Sequence, residues 1–263
     1  MRPLGLRATE ANRTTLGKRA SPIRGLVEID MPDLSTFLVA RRWAPRHSDR
    51  IQLYSLNTPN GVKVSIMLEE TSLPYEAHFI DIAQNESHTP EFLSANPNGK
   101  IPVIIDPNGP NGQPLLLSES GAILLYLADK TGMYIASDPA LRWETIQWLF
   151  FQMAAIGPIF GQVGYFHKFA GKEIHDKRPL ERYVAESKRL LGVLDARLDG
   201  RIWIMGDDYS IADIAILGWV RNLITFYEAR DLVAYDQLEH VPRWLERTLA
   251  RPAVQRGLQI PRR

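Results

Sequence analysis

Between residues 51 and 132, apolar runs of strand length alternate with stretches of helical spacing. QLYSLN reads as a strand, and GVKVSIMLEET follows with Val62, Ile66, Met67 and Leu68 at helical spacing before a turn at Leu73 and Pro74. Tyr75 to Ile82 alternates as a second strand, and TPEFLSAN predicts a short helix capped by Thr89 with Pro90 at its first position. KIPVIID is a third strand. The Pro- and Gly-dense stretch DPNGPNGQP then turns the chain into PLLLSES, and SGAILLYLADKT closes this half as a helix. The order β-α-β-α-β-β-α predicts a small mixed sheet with helices on both faces, over residues 51–132.

After Gly132 the strand signals stop, and residues 139–260 read as helices. LRWETIQWLFFQMAAIG is apolar nearly all round, which predicts a central buried helix. ERYVAESKRLLGVLDARL is amphipathic. In YSIADIAIL, Ser210 followed by Asp213 predicts a capping box, with Tyr209 and Ile214 placed as its hydrophobic staple. HVPRWLERTLARPAVQRGL predicts a last helix interrupted near Pro252. No internal repeat is present.

Composition narrows the possibilities by exclusion. The chain has 263 residues, 45% of them hydrophobic, which is enough for one large domain or two modest ones. With 31 basic and 30 acidic residues there is no global field to draw nucleic acid or a membrane surface. No run approaches the roughly 20 apolar residues of a spanning helix, and no secretory signal opens the chain. His78, His167, His175 and His240 lack metal-ligand spacing, so no metal is expected. Charge is uneven, because residues 1–50 carry ten Lys and Arg against five Asp and Glu. The expectation is a disordered basic segment over 1–50 in a cytoplasmic protein; the first 27 residues, with Glu10 as their single acid, also have the composition of a mitochondrial transit peptide.

Candidate chemistry begins at Thr58-Pro59-Asn60-Gly61, where a strand runs into a helix. Such a turn aims unpaired N–H groups and the positive helix end at an anion, and Thr58 and Asn60 add side-chain donors. Alone, this tetrapeptide is simply a turn. The chain contains no cysteine, so any sulfur chemistry must use a thiol that a ligand brings in. In SESGAI, Glu119 and Ser120 open a helix after the last strand. They read as caps or as polar groups able to hold a carboxylate and an ammonium.

A cysteine-free α/β half followed by an all-α half, with TPNG at 58–61, NPNGKIPV at 96–103, SESGAILLYLADKTG at 118–132, PEFL at 90–93 and YSIADIAI at 209–216, resembles the glutathione S-transferase superfamily. The likeness is to its Nu-class and Ure2p-like branch and covers roughly residues 51–255. It implies a thioredoxin-like glutathione-binding domain at 51–132 and an all-helical glutathione-transferase C-terminal domain at 139–260. It further implies a cis bond before Pro102, which leaves the backbone of Ile101 to pair with the cysteinyl unit of glutathione, and Lys100 near the glycyl carboxylate. Glu119 and Ser120 then hold the γ-glutamyl end. Thr58 and Asn60 serve the sulfur in place of a catalytic Tyr, Ser or Cys. Arg182 matches an arginine that reaches glutathione, in some members across a dimer interface; the alternative is a solvated surface charge. Phe151, Phe160, Tyr165 and Phe166 lie where relatives line the second-substrate pocket, and plain packing is the alternative. Where many relatives have Gln three residues before the Pro of PEFL, this chain has Ser87.

The resemblance implies a homodimeric enzyme with glutathione as co-substrate and no metal. It would either conjugate glutathione to a small apolar electrophile, a secondary-metabolite intermediate being one such, or use it to reduce a disulfide. The alternative is a non-catalytic glutathione-binding or regulatory module of the Ure2p-like type. A prion-like extension is disfavoured, since Asn12 is the single side-chain amide before Gln52.

Overall fold

The computed structural model describes residues 33–262. The expectations for residues 1–27 lie outside the described residues. Those for 33–50 are corrected: the chain forms a 3₁₀ turn at Leu34–Thr36 and the short helix α1 at Leu38–Arg42, burying Leu34, Val39 and Ala40. Trp43 then sets its ring edge-on to Tyr54 and Phe92 at 6.4 and 6.3 Å. Apolar burial orders this piece despite its basic surroundings.

Four strands form one sheet in the order β2-β1-β3-β4, with β1 at Ile51–Ser55, β2 at Tyr75–Phe79, β3 at Val103–Asp106 and β4 at Leu115–Ser118. β1 runs parallel to β2 and antiparallel to β3, and β3 runs antiparallel to β4. The period-2 alternation of a strand assigns its two faces. Ile51, Leu53 and Ile104 join the main core, whereas Tyr54, Val103 and Ile105 join a second core with Leu34, Val39 and Phe92. β2 ends at Phe79, short of the expected Ile82, because Asp81 accepts from Ala83 and Gln84 N–H and turns the chain into a 3₁₀ segment. Helices α2 (Gly61–Thr71), α3 (Pro90–Ala95, capped by Thr89) and α4 (Ser120–Thr131) complete this half.

The helical half comprises α5 (Pro139–Phe151), α6 (Gly157–His167), α7 (Arg178–Leu198), α8 (Ile211–Ile224), α9 (His240–Leu249) and α10 (Pro252–Gly257). A π-helical segment at Gln152–Ile156 joins α5 to α6. The resulting helix, Pro139–His167, is long and apolar enough by composition to cross a membrane, contrary to the reading of the sequence. Here it packs against α7 and α8.

Burial corrects a second expectation. α5 is not the central helix: it buries Thr145 and Leu149, and Trp143 and Phe150 are 69% and 64% exposed. The central helix is α8, buried without interruption from Ile211 to Gly218, with small residues at Ala212, Ala215 and Gly218 along one face for close approach. Its capping box forms as expected, with Ser210 accepting from Ala212 N–H and Asp213 accepting from Ser210 N–H. Burial pushes the Asp213 carboxyl upward in pKa, and N–H donors from Ile204, Trp244 and Ser210 oppose that.

Candidate functional site

The turn after β1 is shaped by steric necessity. A Cβ at Gly61 would lie 1.8 Å from the Leu56 carbonyl oxygen, so only glycine lets the chain enter α2 here. Thr58 Oγ1 accepts from Gly61 N–H at 3.2 Å, leaving the hydroxyl proton free to donate elsewhere. The Asn60 N–H has no hydrogen-bond partner among the described residues. Asn60 Oδ1 accepts from the Trp219 indole N–H at 2.9 Å. Indole is only a donor, so this bond fixes the amide orientation and leaves both Nδ2 protons for another acceptor.

Asn60 lines a cavity of about 890 Å³ together with Lys100, Glu119, Ser120 and Gly121. Glu119 sits at φ 69°, ψ 111°, a conformation that costs a non-glycine residue on the order of 1–3 kcal/mol and turns β4 abruptly into α4. Its carboxylate is exposed while Ser120, the first residue of α4, is buried. The loop carrying Lys100 is held from within: Asn96 Nδ2–H donates to the Lys100 carbonyl at 2.7 Å, and Asn96 Oδ1 accepts from Asn98 N–H. The Ile101–Pro102 peptide is cis. Pro102 is buried, and the backbone of Ile101 has no hydrogen-bond partner among the described residues. Ser87, at the position that departs from the relatives, is buried with its Oγ 3.1 Å from His88 Nδ1.

The structure therefore gathers Asn60, Lys100, Glu119 and Ser120 around one cavity, with Thr58 in the same turn as Asn60. The expected second-substrate aromatics stand elsewhere. Phe160 is fully buried in the core, and Phe151 lines a separate groove with Trp148 and Val193. Tyr165 is exposed, and Phe166 stacks on Tyr183. The apolar wall comes instead from Leu125, Phe150, Met153, Pro158 and Trp219. The reason is the π-helical segment, whose extra residue shifts the register of α6 relative to α5. Arg182 is exposed on α7 and is not part of the cavity wall within this chain.

Sequence reasoning missed the group packed behind Ser120, Gln152 and Met153. Lys63 is fully buried, and its ammonium donates to Ser120 Oγ at 3.2 Å and to Gln152 Oε1. Met153 Sδ lies 3.8 Å away. Burial drives the Lys63 pKa down to about 7, and the charge on Glu119 opposes the shift. The sequence did hold signals, since Lys63 is the lone charged residue in GVKVSIML and Gln152 the lone polar one in WLFFQMAAIG.

A four-stranded mixed sheet with a cis-proline loop, a donor-rich strand-to-helix turn and a following helical half defines a thioredoxin-like domain joined to an all-α domain. The chain belongs to the glutathione S-transferase superfamily, in its Ure2p-like branch. The family's N-terminal domain matches residues 58–130 and its C-terminal domain residues 159–252. The disulfide-bond oxidoreductase YfcG of Escherichia coli is 42% identical over 79% of this chain and 94% of its own length. A glutathione transferase structure from Burkholderia graminis, with two glutathione molecules bound per subunit, is 64% identical. It covers 91% of this chain and 100% of its own, with a TM-score of 0.89. The nitrogen regulation fragment of the yeast prion protein Ure2p is 31% identical over 81% of this chain and 97% of its own, with a TM-score of 0.70.

Proposed function

We propose that this protein is a glutathione-dependent enzyme that stabilises the glutathione thiolate at the Thr58–Asn60 turn and uses it to reduce disulfides. The observation that carries the reading is the Asn60 amide, whose oxygen is taken by Trp219 so that its N–H groups stay available, lining one cavity with Glu119 and Ser120. A free thiol has a pKa of about 8.5, and each unit by which donors lower it favours the thiolate by about 1.36 kcal/mol. The γ-glutamyl ammonium meets Glu119 and its carboxylate meets Ser120 and the α4 N-terminus, while Lys100 faces the glycyl end.

The thiolate of glutathione attacks the glutathione sulfur of a mixed disulfide. A new S–S bond gives glutathione disulfide, and the old bond breaks with its electron pair on the departing thiolate, which takes a proton. Glutathione is oxidised and the mixed disulfide reduced, with no protein cysteine required. YfcG supports this reaction, as does the pair of glutathione molecules in the Burkholderia structure. The volume of the cavity is near the top of the range for small-molecule sites, about 300–1,000 Å³, and suits a tripeptide with a second reactant. Its apolar wall of Leu125, Phe150, Met153 and Trp219 favours a second reading, conjugation to a small apolar electrophile. Likeness to Ure2p leaves a regulatory, non-catalytic module as the third outcome. A homodimer and a cytoplasmic location, or a mitochondrial one if residues 1–27 are cleaved, belong to the same proposal.

The test is turnover of a mixed glutathione disulfide and of a model electrophile by wild type, Thr58→Ala and Asn60→Ala. Asn60→Ala is expected to lose about 10- to 100-fold in kcat/KM, as for a single anion-stabilising donor, with Thr58→Ala smaller. Wild-type-like turnover by both variants removes the thiolate assignment. Tight glutathione binding with no turnover assigns the protein to the binding-module class.

A further inference from the structure

Lys63, which does not itself line the cavity but contacts the lining residues Ser120, Gln152 and Met153, is a group that thiolate stabilisation does not use. Lys63 lies in the first turn of α2, the positive end of that helix, and is fully buried, two circumstances that each disfavour a cation. Yet three residues from two other elements converge on it: Ser120 from the start of α4, and Gln152 and Met153 from the π-helical segment. Ser120 Oγ accepts from the ammonium, and its own O–H has only the Met153 thioether at 4.0 Å as acceptor, a weak contact that an anion in the cavity would displace. The charged groups around this ammonium are few. Glu119 is the acid on α4, and Lys100 lines the same cavity. The π-helical segment offers the neutral Gln152 and Met153. On α2 itself, Glu69 and Glu70 lie further along and are taken by Arg256 and Arg251 of the α10 region. A buried cation thus stands beneath a helix N-terminus, with an incomplete set of counter-charges.

Resting on the glutathione reading, we propose that Lys63 is a positioning residue. Its ammonium supplies from below the buried positive charge that an α-carboxylate needs at Ser120, and it aims the Ser120 hydroxyl at that carboxylate. The site would therefore select thiol peptides that carry a free carboxylate at this end. A carboxylate within reach would in turn hold Lys63 in its charged form, which burial otherwise opposes.

The experiment is a cycle of two ligands and two proteins. S-methylglutathione, whose thiol cannot ionise, and its analogue with the γ-glutamyl α-carboxylate amidated are titrated calorimetrically into wild type and Lys63→Met. Wild type should prefer the carboxylate by about 10- to 100-fold, the range for a charged hydrogen-bonded group, and Lys63→Met by no more than a few-fold. Lys63→Gln keeps an N–H donor for Ser120 without the charge and serves if the Met variant does not fold; the same loss of preference is expected. Wild-type preference should also fall as pH rises from about 6 to about 9, because binding the carboxylate then takes up a proton. An undiminished preference in a folded variant overturns the proposal, as does a pH-independent preference in wild type. If wild type binds neither ligand, the glutathione reading itself fails, a result separate from either of these.

Discussion

Lys63 ties the cavity to the stability of the fold. Its pKa drops from an ordinary 10.5 in the unfolded chain to about 7 in the folded one. Between these values the unfolded chain binds more protons, so folding stability rises with pH across that window, and the full penalty is present below it. Urea unfolding should show a gain of a few kcal/mol between pH of about 7 and 9.5, before the buried tyrosines begin to oppose it, and Lys63→Met should show almost none. A flat wild-type profile would mean that Lys63 keeps its proton throughout. At this scale the sequence was legible where chemistry is local. Thr58, Asn60, Glu119 and Ser120 each stand at a turn or helix start that composition marks. The groups that orient them are not local: Ser120 and Gln152 lie 57 and 89 residues from Lys63, and Trp219 lies 159 from Asn60. No spacing rule connects such pairs.

Among the elements, α8 carries the site as well as the core. A Cβ at Gly218 would come 2.7 Å from the Pro59 carbonyl oxygen and 3.0 Å from Val62 Cγ2, so α8 is pressed directly against the Thr-Pro-Asn turn. Gly218→Ala should cost about 1–3 kcal/mol by overpacking and weaken S-methylglutathione binding through displacement of the turn. Gly192→Ala on α7, with nothing within 4 Å of its added Cβ, should leave binding alone and gain about 0.5–1 kcal/mol in helix stability. Equal effects on binding in the two variants would break the link between α8 and the turn. Most elements were readable, since strand alternation, the Thr89 cap and the Ser210 box are short-range signals. α1 was missed because its few apolar residues are meaningful only against Tyr54 and Phe92. α5 was misplaced because apolar character all round a helix does not say which neighbours will cover it.

On the scale of the whole molecule, ion pairs fasten the two halves, and Arg251 with Glu70 is the most buried of those described. Arg251 clasps Glu70 of α2 through two bonds of 2.6 and 2.8 Å, with its guanidinium 3.9 Å above the Tyr209 ring, and Tyr134 donates to the same carboxylate. The Glu70 side chain is 6% exposed, so Arg251→Ala leaves a buried carboxylate without its cation and should destabilise the protein by about 2 to 4 kcal/mol in urea unfolding. A cost near zero would show that the halves hold together without this clasp. Trp143, exposed on α5, is an apolar surface that the proposed homodimer would cover. Sedimentation at micromolar concentration should give a dimer, and a monomer would also remove any reach of Arg182 into a partner's site. By itself the sequence determined the order of elements, the caps, the family and the absence of a protein thiol, because each is written in neighbouring residues or in composition. Only the tertiary structure decided that Lys63 is buried against Ser120 and Gln152 of the cavity wall, that Trp219 sets the Asn60 amide, and that Phe150 rather than Phe160 lines the cavity. Those outcomes depend on how helices far apart in the chain pack, and a linear pattern does not carry that information.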